Sequence, residues 1–300
     1  MPRGIDHLVI AVRDLDAARV AYQRLGFTLT PEAHHPFGTK NSLVQLDGAF
    51  LELVAVADPA LIPEPTPQRF SFAAFNRDFL ARREGVSMLV LRSRDANLDL
   101  AAFATRGLPV FEPVRFERTA RASDGSERVV AFTMTFTADK RLPEAGFFTC
   151  QHHYPENFWR PDYQRHDNTA KRIEAAVMVA RDPADFHEFL THFTGVHDMV
   201  STSLGIEIDT GAGKVAVLSP VAYQGFFGDT PAEPDPRRFL ACRIGVADLA
   251  AMRAALAASE VRFAERLGHL IVPASEACGV AIAFSAGEPQ RLTAAPDTPA

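Results

Sequence analysis

Residues 4–12 read Gly-Ile-Asp-His-Leu-Val-Ile-Ala-Val, an apolar and β-branched run that stops at Arg13-Asp14. A run of this kind is a strand, and Asp14 is well suited to cap the N-terminus of a helix. Leu15, Ala18, Tyr22 and Leu25 then recur every three or four residues, which is one face of a helix. Gly26 ends it. Three further strand-like runs follow, near 27–31, 42–47 and 49–56, and Asp47-Gly48 between the last two is a hairpin signal. The unit is strand, helix, three strands: βαβββ.

The same grammar returns three times. A strand over 87–93 is followed by Arg94-Asp95, a helix over 96–106, Gly107, and strands near 110–118, 127–137 and 146–153. A third unit opens at 172–180 and caps at Asp182-Pro183, with Pro in the first helical position. Its helix carries the stripe Phe186, Phe189, Leu190 and Phe193, and Gly195 closes it. A fourth opens at 239–247, caps at Asp248, and ends in a strand over 279–285. Proline-rich stretches at 57–69 and 229–236 separate the first and second unit of each pair. The expected architecture is α+β: four βαβββ modules pairing into two half-barrel domains, 1–153 and 172–290, with a linker at 154–171 and a tail at 291–300.

Composition narrows the function classes. The 300 residues are 47% hydrophobic and 23% charged, enough for a large core without staples. The formal net charge is −6 and no Lys/Arg-rich run occurs, which argues against nucleic acid or an anionic membrane as a partner. Cys150, Cys242 and Cys278 are few and far apart, as expected in a reducing compartment. With no apolar leader and no stretch approaching roughly 20 apolar residues, a cytoplasmic location is expected. Gly211-Ala212-Gly213-Lys214 lacks the first glycine and the Ser/Thr of a phosphate loop, so it is a hairpin turn.

Some residues break the apolar pattern. His7 sits in the first strand, either as a hydrogen-bonded strand-start histidine or as a functional group. Glu52 interrupts Ala49-Phe50-Leu51-Glu52-Leu53-Val54-Ala55-Val56. A carboxylate buried there needs a metal, an arginine or water on an open face. Cys150-Gln151-His152-His153 ends the eighth strand, and alternation lets only one of the two histidines face a cleft. The loop His34-His35-Pro36-Phe37, with Thr39, Lys40 and Asn41 after it, offers hydrogen bonds to a substrate or is an ordinary connector. Arg115 and Arg118 bind a carboxylate substrate or lie on a solvated face. Trp159 and Arg160 lie between the halves, as a lid or as packing. His187 and His192 are about 140° apart on their helix, so they do not share a ligand.

Asp6-His7-Leu8-Val9, Leu51-Glu52-Leu53, Gly38-Thr39-Lys40-Asn41, and Cys150-Gln151-His152 followed by Pro155-Glu156-Asn157-Phe158-Trp159-Arg160-Pro161 resemble the vicinal-oxygen-chelate superfamily. Within it they are similar to the glyoxalase-like domain proteins, over residues 4–170. The second half matches in module pattern only. The resemblance implies a divalent metal (Fe, Mn, Ni or Zn) held by His7, Glu52 and His152, the two-imidazole, one-carboxylate set of non-haem iron and Lewis-acid sites. It would chelate a small oxygenated substrate through two oxygens, for isomerisation, lyase or dioxygenase chemistry, with Glu52 doubling as base. Asn41, Thr39, Arg115 and Trp159 are the expected substrate contacts. Met88 aligns with His7 in the second module, and Ala175 and Ala241 align with it in the second pair, which marks that pair as a degenerate or dimerising copy, compatible with a homodimer. The alternative is a metal-free protein that sequesters a small molecule in the same cleft.

Overall fold

The stretch quoted first folds as strand β1 (Ile5–Ala11), helix α1 (Leu15–Arg24), a two-residue β2 (Ala33–His34), β3 (Thr39–Gln45) and β4 (Phe50–Val56). The computed structural model describes residues 2–121 and 127–287; the expected tail at 291–300 lies outside them. Asp14 caps α1 as its chemistry dictates, its Oδ1 accepting from the Ala17 amide at 3.0 Å.

The second module gives β5 (Gly85–Ser93), α3 (Ala96–Thr105), β6 (Val114–Arg121), β7 (Glu127–Thr137) and β8 (Gly146–His152). Together the two modules form one eight-stranded sheet in the order β2-β3-β4-β1-β5-β8-β7-β6. Each module's first and last strands run parallel, β1 with β4 and β5 with β8, and β1 meets β5 antiparallel at the centre. The third and fourth modules repeat this with β9 (Ala170–Val179), β10 (Val200–Thr202), β11 (Gly205–Asp209), β12 (Lys214–Leu218), β13 (Arg238–Val246), β14 (Ala264–Arg266), β15 (His269–Val272) and β16 (Ala281–Ala286). Their order, β10-β11-β12-β9-β13-β16-β15-β14, is the same topology. The expected α+β fold of four modules in two half-barrels is the one observed.

Three local expectations change. Residues 27–31 are not a strand. Pro31 has no amide to donate, and the segment is tied to β3 instead through Thr30, whose amide and hydroxyl meet Leu43 and whose carbonyl accepts from Ser42. Asp182 makes no side-chain cap; Pro183–Phe186 forms a 3₁₀ turn ahead of α5 (His187–Thr194). Two helices outside the repeat grammar follow the fourth strand of each pair: α2 (Phe72–Leu80), capped by Ser71, and α6 (Pro220–Phe227), capped by Ser219. The linker region is itself ordered, with a one-turn α4 (Pro155–Phe158).

The outer faces of the two sheets share a core. Phe147 of β8 packs against Phe189 and Phe193 of α5 and Phe239 of β13, with ring centroids 4.8, 5.4 and 5.9 Å away. Among the described residues no helix is long and apolar enough to cross a membrane. Because Phe147 joins the halves and is fully buried, Phe147→Ala is expected to destabilise the chain by about 3–5 kcal/mol. Chemical denaturation should show both halves loosening together; an unchanged transition would mean that the halves are held elsewhere.

Candidate functional site

The site begins with a fault in β1. Ile5 faces Leu91 and His7 faces Val90, which leaves Asp6 without a cross-strand partner: a bulge. The bulge breaks strict alternation, so two adjacent polar side chains are both buried and touch. His7 Nδ1 lies 2.6 Å from Asp6 Oδ1, and on the other side His152 Nε2 lies 3.2 Å from the same oxygen. With Asp6 as acceptor the His7 proton sits on Nδ1, and Nε2 points away from it. Phe50 fixes the ring by stacking on it at 4.2 Å.

His7 Nε2 faces Glu52 Oε2 at 3.6 Å. Glu52 comes from β4, next to β1, where it pairs with Val9. Its other oxygen accepts from Asn41 Nδ2 of β3 at 2.6 Å. The Asn41 amide also meets His35 Nε2 at 3.2 Å, and His35 Nδ1 donates to Thr39 Oγ1 at 2.8 Å. Thr39 and Asn41, expected as substrate contacts, are tied to Glu52 with His35 between them, and Asn41 also lines the recess. His35 is a neutral acceptor in this chain: burial, with the Arg118 charge behind it, pushes its pKa down to about 3.

These groups line a recess closed by phenylalanines from both modules, among them Phe37, Phe50, Phe72, Phe116, Phe132 and Phe148. Burial pushes the Glu52 carboxyl above its ordinary range, against the opposing pull of His7, Asn41 and Arg118. Arg118 of β6 lines the same recess; its Nε is buried and has no hydrogen-bond partner. Arg115, three residues earlier, is exposed and borders a different depression between Pro36 and Met134. Period two places Phe116 and Arg118 on one face and Arg115 on the other, so the arginine that reaches the recess is Arg118. The Asn41 Oδ1 atom is also buried without a partner.

A second depression lies on the far side of Asp6, lined by Arg92, Ser93, Cys150, His152, Pro155 and Trp159. Trp159 stacks parallel to His152 at 6.1 Å and does not line the phenylalanine recess. The segment that carries it is pinned by Gln45, whose side chain donates to the Phe158 carbonyl at 2.8 Å and accepts from the Arg160 amide at 2.9 Å. Asp6 and Cys150 were visible only as parts of quoted motifs. The signal for Asp6 is two adjacent polar residues inside an apolar strand, which a regular strand cannot bury on one face.

The structure thus brings His7 and Glu52 together but takes His152 to Asp6. The module repeat tests whether a metal fits beside them. His7 pairs with Phe50 as Met88 pairs with Gly146, and Val9 with Glu52 as Val90 with Phe148. The positions equivalent to His7 and Glu52 in the second module are Met88 and Phe148, both apolar. The third imidazole nearby, His35, has its free nitrogen turned to Asn41. Among the described residues, only Asp6, Cys150 and His152 bring three ligand atoms within 4.8 Å of one another. The ion implied at His7, Glu52 and His152 does not fit as one site. In the second sheet the corresponding positions are Ala175 and Ala216, and Tyr223 and Phe227 of α6 pack against them.

A sequence profile described as a glyoxalase-like domain matches residues 5–194. No curated protein matches the chain. Among solved structures, a hypothetical protein from Staphylococcus aureus is similar at 12% identity with a TM-score of 0.67, covering 94% of this chain and 99% of that one. A mutant 4-hydroxymandelate synthase from Streptomyces coelicolor is similar at 10% identity and a TM-score of 0.54, over 94% and 92% of the two chains. A fusion of a xylose isomerase-like TIM barrel with a 4-hydroxyphenylpyruvate dioxygenase matches at 13% identity and a TM-score of 0.53, over 96% of this chain and 49% of that one. At these identities the likeness is one of fold.

The Glu52 environment predicts a pH dependence of stability. A carboxyl whose folded pKa is raised holds its proton more tightly when folded. Stability is greatest below its unfolded value and is lost as pH rises through the folded one. The melting temperature of Glu52→Gln minus that of the wild type should therefore grow as pH increases from about 4.5, by about 2–4 °C for each kcal/mol of charge burial relieved. Thermal melts at several pH values test this; a difference independent of pH would mean that Glu52 ionises in the fold as it does in water.

Proposed function

The chain belongs to the glyoxalase-like domain family of the vicinal-oxygen-chelate superfamily, and on that footing we propose that it is an enzyme moving a proton on a small oxygenated anion with an apolar body, with Glu52 as the base. The carrying observation is the state of Glu52: one oxygen held by Asn41, the other free and facing His7 Nε2 in an apolar recess that also holds Arg118.

Glu52 Oε2 takes the proton from a carbon beside a carbonyl or carboxylate. The C–H electron pair forms a C=C bond and the C=O π pair moves onto the substrate's own oxygen, giving an enolate whose negative charge is met by the Arg118 guanidinium, whose Nε has no partner. Returning the proton to a neighbouring atom completes an isomerisation; loss of a group from the adjacent carbon completes a lyase reaction. The lone pair of His7 Nε2 accepts a substrate hydroxyl and orients it. Exclusion of water by the phenylalanine wall strengthens both contacts. A raised Glu52 pKa brings its proton affinity closer to that of the carbon acid, which favours transfer. The base must be ionised to act, so the rate should rise with pH through a value above the ordinary carboxylate range.

The second reading, a binder without turnover, is favoured by the number of phenylalanines in the wall. Nuclear magnetic resonance in deuterated water separates the two readings, using a panel of small 2-oxo and 2-hydroxy acids with alkyl or aryl bodies. Exchange of the proton beside the carbonyl, slowed about 10²–10⁴-fold by Glu52→Gln and needing much higher ligand concentration in Arg118→Gln, is the expected result. Ligands that bind with no exchange and no product would sink the role of Glu52 and establish sequestration.

A further inference from the structure

Asp6 holds the His7 ring, but Cys150 and His152 on its other side have no role in the proton transfer proposed for Glu52. We infer that Asp6, Cys150 and His152 form a binding site for one zinc-class divalent cation, open on its fourth side to the depression beneath Trp159. Three observations lead there.

The first is the donor set. A carboxylate oxygen, a thiol sulfur and an imidazole nitrogen approach within 4.8 Å of one another. They come from β1 and from alternate residues of β8, so the sheet holds them without help from a loop. Thiolate with imidazole is the combination that selects zinc and its late transition-metal neighbours over magnesium or calcium. Three protein ligands with a fourth position facing a cleft is the pattern of an open zinc site.

The second is incomplete satisfaction. Both imidazoles meet the same Asp6 oxygen, Oδ1. The His152 ring is nine-tenths buried, yet its Nδ1 atom has no partner, and neither has the buried Ser93 hydroxyl on the same cleft wall. A purely structural cluster would leave fewer polar atoms unpaired. The third is preorganisation. Trp159 lies parallel to the His152 ring at 6.1 Å, and Phe132 and Phe158 meet it near perpendicular at 5.0 and 4.9 Å, so aromatic neighbours hold the imidazole in place.

Charge balances. Binding M²⁺ requires the Cys150 thiol to lose its proton to solvent, and the ion then faces one thiolate and one carboxylate with a neutral imidazole. The site is distinct from the positions of His7, Glu52, Met88 and Phe148, and it does not depend on the role given to Glu52.

The test uses the full chain, kept reduced and stripped of metal, titrated with Co²⁺ and followed by absorbance. The expected result is one equivalent bound with a thiolate-to-cobalt charge-transfer band in the near ultraviolet, bleached by Zn²⁺. Cys150→Ala should abolish the band and His152→Gln should weaken binding at least tenfold, while Glu52→Gln leaves both unchanged. Absence of the band in the wild type overturns the inference, whether or not the variants fold. So does a band that survives Cys150→Ala, which would place the ion at Cys242 or Cys278. Binding lost in Glu52→Gln but kept in Cys150→Ala would put the ion beside His7 and overturn it as well.

Discussion

A carboxylate cannot sit in a wall of phenylalanine rings without partners, and the first half of the chain is organised around meeting that condition for Glu52. Thr39 fixes the proton of His35, His35 accepts from Asn41, and Asn41 donates to Glu52. The chain of bonds runs from one end of β3 to β4 and ends on a single oxygen. The other oxygen is left for His7 and whatever enters between them. Removing any link exposes the cost of an unpaired buried polar group to the next, which is why Thr39 and His35 belong to the site along with Asn41.

The module pattern was legible because the units repeat much of the same local chemistry: an Asp cap in three of the four, an apolar helical stripe, and a glycine stop at Gly26, Gly107 and Gly195. Asp14, Asp95 and Asp248 all cap their helices with side-chain hydrogen bonds. The site was legible only in part. His7 and Glu52 stood out as polar residues in apolar strands, and the structure places them together. His152 was assigned to Glu52 on strand alternation and family resemblance, whereas the bulge at Asp6 draws it to a carboxylate that alternation alone would have turned to the other face. Arg118 against Arg115 was a matter of phase along β6, and phase depends on where the strand starts. Helices α2 and α6 repeat once per pair, not once per module, and so fell outside the βαβββ grammar.

The repeat also shows what divergence has done. Four positions are equivalent by register: His7, Met88, Ala175 and Ala241, each at the start of a parallel strand pair. Only one of the four retains a donor. The apolar replacements close the second module's side of the recess and make the site asymmetric, with its polar groups gathered on β1, β3 and β4 and its cation on the opposing β6. For the small anion proposed as substrate, such asymmetry would favour one orientation, with the charged end towards Arg118 of β6.

The second half meets its own concave face with its own side chains. Tyr223 and Phe227 of α6 rest against Ala175, Ala216 and Ala241, filling the space that the small residues leave. That half carries an intramolecular guest, permanently bound at an effective concentration no solute can match. In the first half α2 contributes only Phe72 to the recess lining. One sheet therefore covers its concave face with its own helix while the other lines it with His7, Asn41 and Glu52, on the same topology and joined through a common core.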